Sequence, residues 1–141
     1  MSNSINLFCY GSLMYPEVWH LIVKDKYQQQ QAKVFGYRRK KIKNEEYPGL
    51  IASKQEDSIQ GTVYFNVSTQ DLKRLDLFEG NQYIRVKVNC ILCNESYIES
   101  YTYIINPHDQ TIVEKEDWNQ EEFEQNGLKQ FLNKYRGFSA F

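Results

Sequence analysis

The sequence predicts an α+β fold: one domain built on a small, mixed, barrel-like β-sheet flanked by short helices. Three observations carry this expectation. Several runs alternate apolar and polar residues with the period of two that marks half-buried strands. Between them lie stretches with helical spacing and N-cap residues at their starts. The two kinds of segment follow one another irregularly, unlike the regular strand–helix alternation of a parallel α/β sheet. A chain of 141 residues suits a single domain, and 41% hydrophobic with 25% charged residues is ordinary globular usage, sufficient for a packed core.

In chain order, Ile5 to Tyr10 reads as a buried first strand broken by Gly11. Pro16 suits the first turn of a short helix carrying Val18, Trp19, Ile22 and Val23. Gln28 to Gln31 is a polar tract leading into one strand over Ala32 to Ile42, whose far end turns basic and exposed. Asn44 to Gly49 reads as a loop containing Tyr47-Pro48. Ile59, Gly61, Val63, Phe65 and Val67 alternate as one half-buried strand. Ser68, with Asp71 three positions on, starts a helix through Phe78. Ile84 to Leu92 and Tyr97 to Ile105 are further strands, the second ended by Asn106-Pro107. The acidic stretch from Glu114 to Glu124 reads as a solvated loop and helix start. Asn119 with Glu122 resembles another capping box, and Leu128, Phe131, Leu132 and Tyr135 form a helical stripe.

Composition excludes several function classes. The formal net charge is −1, so no global field favours nucleic acid or anionic membrane. The basic run Arg38-Arg39-Lys40-Lys41 is followed at once by Glu45 and Glu46 and reads as a solvated face. Cys90 and Cys93 lie three apart in a strand-like run and therefore point to opposite faces, and no second pair completes a zinc site. No metal site is expected. Three cysteines, an odd number, and a start without a basic region or long apolar segment lead to the expectation of free thiols and a cytoplasmic protein. Oligomeric state is not readable.

The most informative stretch runs from Leu72 to Arg85. Leu72, Leu75 and Glu79 fall at spacings of three and four, which places them on one helical face. A carboxylate thus stands where a core residue is expected, and Gly80 lets the backbone turn directly after it. Apolar surroundings disfavour the ionised carboxylate, raise its pKa towards neutrality and make it a better base. The alternative at this point is a Glu79 just past the helix end, paired with Arg85 or with solvent.

The second stretch is Leu7 to Leu13, a buried strand running into Tyr10-Gly11-Ser12-Leu13 ahead of a helix. Such a turn can present consecutive backbone N–H groups to a carboxylate or a developing oxyanion. Ser12 as a nucleophile would need a histidine base; the chain has only His20 and His108, and Ser12 lacks the second glycine of a nucleophile elbow.

Together these stretches resemble the gamma-glutamylcyclotransferase-like family, closest to its gamma-glutamylamine cyclotransferase branch. Tyr10-Gly11-Ser12-Leu13 is similar to the family's opening Tyr-Gly-(Ser/Thr)-Leu turn. Leu75-Asp76-Leu77-Phe78-Glu79-Gly80-Asn81-Gln82-Tyr83-Ile84-Arg85 is similar to its Leu-Asp-x-Phe-Glu-Gly-x-x-Tyr-x-Arg block. Weaker echoes occur at Gly36-Tyr37-Arg38, Tyr47-Pro48, Gly61-Thr62-Val63-Tyr64 and Trp118. The resemblance implies the family's fold and a cyclising cleavage. The α-amine of a small-molecule γ-glutamyl substrate attacks its own γ-carbonyl, releasing an amine and 5-oxoproline. Glu79 would be the general acid/base. Tyr10, Gly11, Ser12 and Leu13 would form the substrate cradle, with Tyr83 a site-wall tyrosine and Arg85 a structural partner of a nearby acid. No cofactor is implied. Two other readings stay open: a hydrolase in which Glu79 activates water, and a non-catalytic module that binds a small metabolite or a protein. The leaving amine's pocket is expected in Gln28–Gln31 and Asn44–Gly49.

Overall fold

A computed structural model describes residues 4–135, with the side chain of Tyr135 not included. The expectations for residues 1–3 and for the Tyr135 side chain lie outside the described residues. Strand β1 (Ile5–Cys9) leads through a 3-10 turn (Ser12–Met14) into helix α1 (Pro16–Ile22), where Pro16 occupies the first turn. Then come β2 (Gln29–Phe35), β3 (Tyr37–Ile42), β4 (Pro48–Ala52) and β5 (Ser58–Val67). Helix α2 (Thr69–Glu79) precedes the long hairpin of β6 (Tyr83–Leu92) and β7 (Tyr97–Ile105). A further 3-10 turn (Pro107–Ile112) leads to β8 (Val113–Asp117). The last helical segment starts as α3 (Gln120–Glu122), passes through a π-helical turn (Phe123–Gly127) and continues as α4 (Leu128–Tyr135).

The sheet closes on itself as a barrel in the order β1-β5-β2-β6-β7. Its pairings are antiparallel except between β1 and β7, which run parallel where Leu7 meets Tyr101. A register shift in β1 between Ile5 and Leu7 adds local bend of the kind closure requires. The expected mixed, barrel-like sheet with flanking helices is therefore the fold observed.

Alternation along β1 divides the core. Leu7 and Cys9 join the group formed by Val18, Trp19 and Ile22 of α1, Leu72 and Leu75 of α2, and Phe131 of α4. Phe8 and Tyr10 face the other way, among Val34, Ile59, Val63, Val88 and Cys90 of the strands. The α2 cap forms as expected, with the Ser68 hydroxyl accepting from the Asp71 N–H at 3.2 Å. The reciprocal half differs from a capping box: the Ser68 N–H donates to the Tyr27 hydroxyl instead, at 3.0 Å. Asn119 likewise caps its helix, accepting from the Glu122 N–H at 3.0 Å.

Three expectations are corrected. Ala32 to Ile42 is not one strand: at Gly36 the chain takes φ +89°, a conformation that side chains disfavour, and leaves the barrel. Beyond it, β3 joins a separate three-stranded sheet in the order β4-β3-β8. Pro48 and Gly49 belong to strand β4 and not to a loop. The acidic run from Glu114 is not merely solvated: β8 pairs with the basic strand β3, and Lys40 reaches Asp117 at 2.7 Å while Lys41 reaches Glu116 at 3.5 Å. Opposite charges on neighbouring strands stabilise the pairing, and each run alone reads as a solvated face because its partner is distant in sequence. Cys90 is buried and Cys93 exposed, on opposite faces as expected. Among the described residues, no helix is long and apolar enough to cross a membrane.

Candidate active site

A cleft opens where β1 ends, enclosing about 540 Å³ including its solvent-open mouth. One side is the Tyr10–Leu13 turn. The opposing side is the C-terminal end of α2 with Phe78 and Glu79, and Tyr47, Pro48, Tyr83, Tyr103 and Phe131 complete the walls. The structure thus brings together all six residues expected from sequence: Glu79, Tyr10, Gly11, Ser12, Leu13 and Tyr83.

Glu79 occupies its place for local reasons. Leu72 and Leu75 bury one face of α2, and Glu79 continues that face into the cleft. Gly80 ends the helix at φ +77°, its N–H donating to the Asp76 carbonyl. Among the described residues, none donates a hydrogen bond to the Glu79 carboxyl. Desolvation, and secondarily the charge of Asp76, push its pKa up to about 8. The alternative pairing with Arg85 is not made: Arg85 grips Asp76 with two contacts of 3.2 Å, and the Tyr103 hydroxyl donates to the same carboxylate at 2.6 Å. Asp76 is held by these neighbours and Glu79 is left with an unengaged carboxyl facing the cleft.

The opposing turn is fixed at both ends. Tyr10 is buried; its hydroxyl donates to the Tyr103 carbonyl at 2.6 Å, and its own carbonyl accepts from Arg39 Nη1 at 3.0 Å. The Leu13 carbonyl accepts from the Tyr64 hydroxyl at 3.1 Å, and the Tyr64 ring stacks on Trp19 at a centroid distance of 3.6 Å. The N–H groups of Ser12 and Leu13 open a 3-10 turn and so have no partner within it. Among the described residues no group accepts from either, which leaves them free for an anionic or polarised oxygen.

Gly11 is required by contact and not by its backbone angle. A Cβ there would lie 2.8 Å from both Cγ and Cδ of Pro48, a rigid ring that is itself a cleft wall. Gly11→Ala is expected to displace Pro48, lower stability by about 1–3 kcal/mol and weaken substrate turnover. Thermal melts alongside steady-state kinetics check this.

The other candidate nucleophiles are quiet. Ser12 is buried in the wall, while His20 and His108 are exposed and outside the cleft. Cys9 also lines the cleft, but burial, followed by the charge of Glu79, raises its pKa well above the ordinary value and keeps it a thiol. Burial raises the Tyr83 hydroxyl pKa as well, and that hydroxyl already donates to the Pro48 carbonyl at 2.8 Å. Tyr83 therefore stands in the cleft wall with its hydroxyl proton already committed. Among the described residues, no group of three or more His, Cys, Asp or Glu is placed to hold a metal.

Sequence reasoning missed several wall residues. Phe78 read as the end of a helix, Phe131 as part of a helical stripe, Tyr103 as one member of an alternating strand, and Cys9 as strand interior; none carries a local signal that separates cleft from core. Of the two segments expected to hold a leaving group, Asn44–Gly49 contributes Tyr47 and Pro48. Gln28–Gln31 does not reach the cleft; Gln29 to Gln31 pair with β5 on the barrel wall. Arg39 lay in the basic run assigned to solvent, yet its Nη1 donates to the Tyr10 carbonyl at the head of the turn.

Comparison with known proteins agrees with this geometry. The family described as "Gamma-glutamyl cyclotransferase, AIG2-like" matches residues 7–120, which include both the turn and the Glu79 helix. Protein AIG2 C of Arabidopsis thaliana is 30% identical over 135 residues, covering 94% of this chain and 80% of its own. A solution structure from Arabidopsis thaliana superposes with a TM-score of 0.72 at 30% identity, over 96% of this chain and 83% of that one. A solved structure named Gamma-glutamyl cyclotransferase shares the fold with a TM-score of 0.64 at 17% identity, over 99% of this chain and 90% of its own. With the turn, the acid and the barrel in place, the match over residues 7–120 identifies this chain as a member of the gamma-glutamyl cyclotransferase, AIG2-like family.

Proposed function

We propose that this protein cleaves a γ-glutamyl amine by cyclisation, giving 5-oxoproline and a free amine. One observation carries the reading: a desolvated, unengaged carboxyl on Glu79 faces a turn with free backbone N–H groups across a single cleft. The substrate's α-ammonium gives a proton to Glu79. The freed amine attacks the γ-carbonyl carbon of the same molecule, and negative charge grows on the carbonyl oxygen. Backbone N–H groups of the Tyr10–Leu13 turn are the donors for that oxygen or for the α-carboxylate. The tetrahedral carbon then expels the original amine, which takes the proton back from Glu79; the ring nitrogen gives up its second hydrogen to the freed Glu79 carboxylate, which passes it on so that the amine departs as an ammonium ion. Atoms and charge balance without a second reactant.

This chemistry suits a site with one titratable base. Nucleophile and electrophile belong to one molecule, so the protein folds the substrate and manages its protons. Holding an intramolecular pair in a near-attack pose contributes on the order of 7–11 kcal/mol. A carboxyl with its pKa pushed up to about 8 is matched to that proton transfer, since a base with a pKa near the working pH both accepts and returns a proton. Aromatic walls from Tyr47, Phe78 and Phe131 keep water from the reacting atoms. The motif Leu75–Arg85 supports placing the protein nearest the γ-glutamylamine-cleaving branch.

The test is product identity. Incubation with a panel of γ-glutamyl dipeptides and γ-glutamyl amines is expected to release a free amine with 5-oxoproline in equal amounts, followed by mass spectrometry. Glutamate in place of 5-oxoproline would make the protein a hydrolase. Release of no amine from any of the panel, with a ligand still bound, would make it a binding module.

A further inference from the structure

We infer that Arg39 is the positioning residue of the cradle, holding the Tyr10–Gly11 peptide and with it the direction of the Gly11 N–H, a cleft-lining donor for which no acceptor is found among the described residues. This rests on the cyclotransferase reading for its kinetic consequence, though not for the geometry. Arg39 is one of four arginines among the described residues; Arg38, Arg74 and Arg85 each have a carboxylate within ion-pair distance. Arg39 has none among the described residues. Its Nη1 donates instead to the Tyr10 carbonyl at 3.0 Å and lies 3.4 Å from Gln120 Oε1. The guanidinium also sits over the Trp118 ring, 5.3 Å from its centroid. Desolvation lowers the Arg39 pKa from its ordinary value, so a cation is held half-buried with no carboxylate in direct contact among the described residues and only the more distant charge of Asp117 to favour it.

Placing an unpaired guanidinium there is unfavourable unless the contact it makes matters, and its strongest contact is to the turn that lines the cleft. Tyr10 C=O and Gly11 N–H belong to one planar trans peptide, so they point in opposite directions. Pinning the carbonyl towards Arg39 therefore fixes the direction of the Gly11 N–H. A cationic donor on the carbonyl also polarises the peptide and makes that N–H a stronger donor. Among the described residues Arg39 is the sole donor to the Tyr10 carbonyl, so without it that carbonyl has no partner to fix its direction. Trp118 and Gln120 set the guanidinium from the far side. They thereby couple the cradle to the β8–α3 connection, which the sequence places more than a hundred residues downstream.

The experiment compares Arg39→Met, Arg39→Lys and Lys40→Met. Lys40 is the control: it ties the same strand to Asp117 at 2.7 Å and does not touch the cradle. In ligand-free protein, the Gly11 amide resonance in a ¹H–¹⁵N spectrum is expected to move in Arg39→Met, to move less in Arg39→Lys, and to stay in place in Lys40→Met. With a substrate found by the product assay, kcat/KM is expected to fall about tenfold to a hundredfold in Arg39→Met, below the full loss of a direct oxyanion donor. Arg39→Lys recovers part of it and Lys40→Met none of the loss appears. An unmoved Gly11 resonance in Arg39→Met overturns the inference. So does an equal loss of kcat/KM in Arg39→Met and Lys40→Met, which would mark a purely structural tie. If wild-type protein forms no 5-oxoproline, the cyclotransferase reading fails by itself, and the amide spectrum still decides whether Arg39 orients the peptide.

Discussion

Glu79→Gln is expected to abolish 5-oxoproline formation and to leave the fold intact. The amide keeps the size and shape of the side chain, so the walls around it are undisturbed. It cannot take the α-ammonium proton, and loss of a positioned general base typically costs about 10²–10⁴-fold in rate. Cys9 offers no substitute, because its thiol is held protonated by burial and by the neighbouring acid. In the wild type, kcat/KM is expected to rise roughly tenfold per pH unit as Glu79 ionises, levelling above a pKa of about 8. The variant has no such limb. Product chromatography across pH 5.5–9 measures both, and near-wild-type turnover in Glu79→Gln would remove the mechanism.

The same substitution has a stability signature of opposite sign. The folded pKa of Glu79 lies above the ordinary carboxylate value, so the native state holds its proton more tightly than the unfolded chain does. The stability this group contributes is present at low pH and is lost as pH rises from the ordinary glutamate range to about 8. Glu79→Gln removes that loss. The variant is expected to be more stable than wild type at pH 8 by about 2–3 kcal/mol, allowing for the residue's partial exposure. The two proteins converge near pH 4. Denaturant titrations at both pH values read the difference.

Asp71→Ala carries the largest expected loss of stability. Asp71 is fully buried at the start of α2, where it accepts from the N–H groups of Lys24 and Asp25 at 2.9 and 3.1 Å. The Tyr27 hydroxyl donates to it at 2.6 Å and Arg74 Nη1 at 2.7 Å. Burial raises its pKa, but these donors outweigh burial and hold it below the ordinary value. Alanine leaves two backbone N–H groups without an acceptor and Arg74 without its carboxylate, and loosens the α1–β2 connection from α2. The expected cost is about 3–4 kcal/mol, a drop in Tm of roughly 10 °C for a chain of this length. Because the folded pKa is depressed, this contribution is present above the ordinary carboxylate range and disappears as pH falls through the folded value. Thermal melts at pH 7 and pH 3 should therefore show a large gap that narrows; a gap under about 1 kcal/mol at pH 7 would contradict the network.

Asp71 shows how far local patterns reach. Its position three after Ser68 places it at a helix start, and the cap forms. That it would anchor a connection from the other side of α1 depends on Tyr27 and on the backbone at Lys24 and Asp25, and no local pattern encodes that contact. The strands of the β6–β7 hairpin and β5 were readable because burial on one face imposes a period of two. The split at Gly36 was not, because a glycine within an alternating run does not reveal whether the chain continues or turns out of the barrel. The pairing of the charged runs in β3 and β8 was not readable either: both runs are solvated as expected, but the neutralising partner of each is the other run, distant in sequence.

What the sequence alone determined is the placement of an acid on the apolar face of α2, a glycine that ends the helix beside it, and a glycine-containing turn after the first strand. Those follow from helical and strand periods and from the steric freedom of single residues. Only the tertiary structure decided that the acid and the turn face one another, that Arg85 takes Asp76 and leaves Glu79 unengaged, and that Arg39 reaches back to the turn. The physical reason is that desolvation and hydrogen-bond geometry are properties of everything that surrounds a group. That surrounding is assembled by barrel closure from segments far apart in the chain.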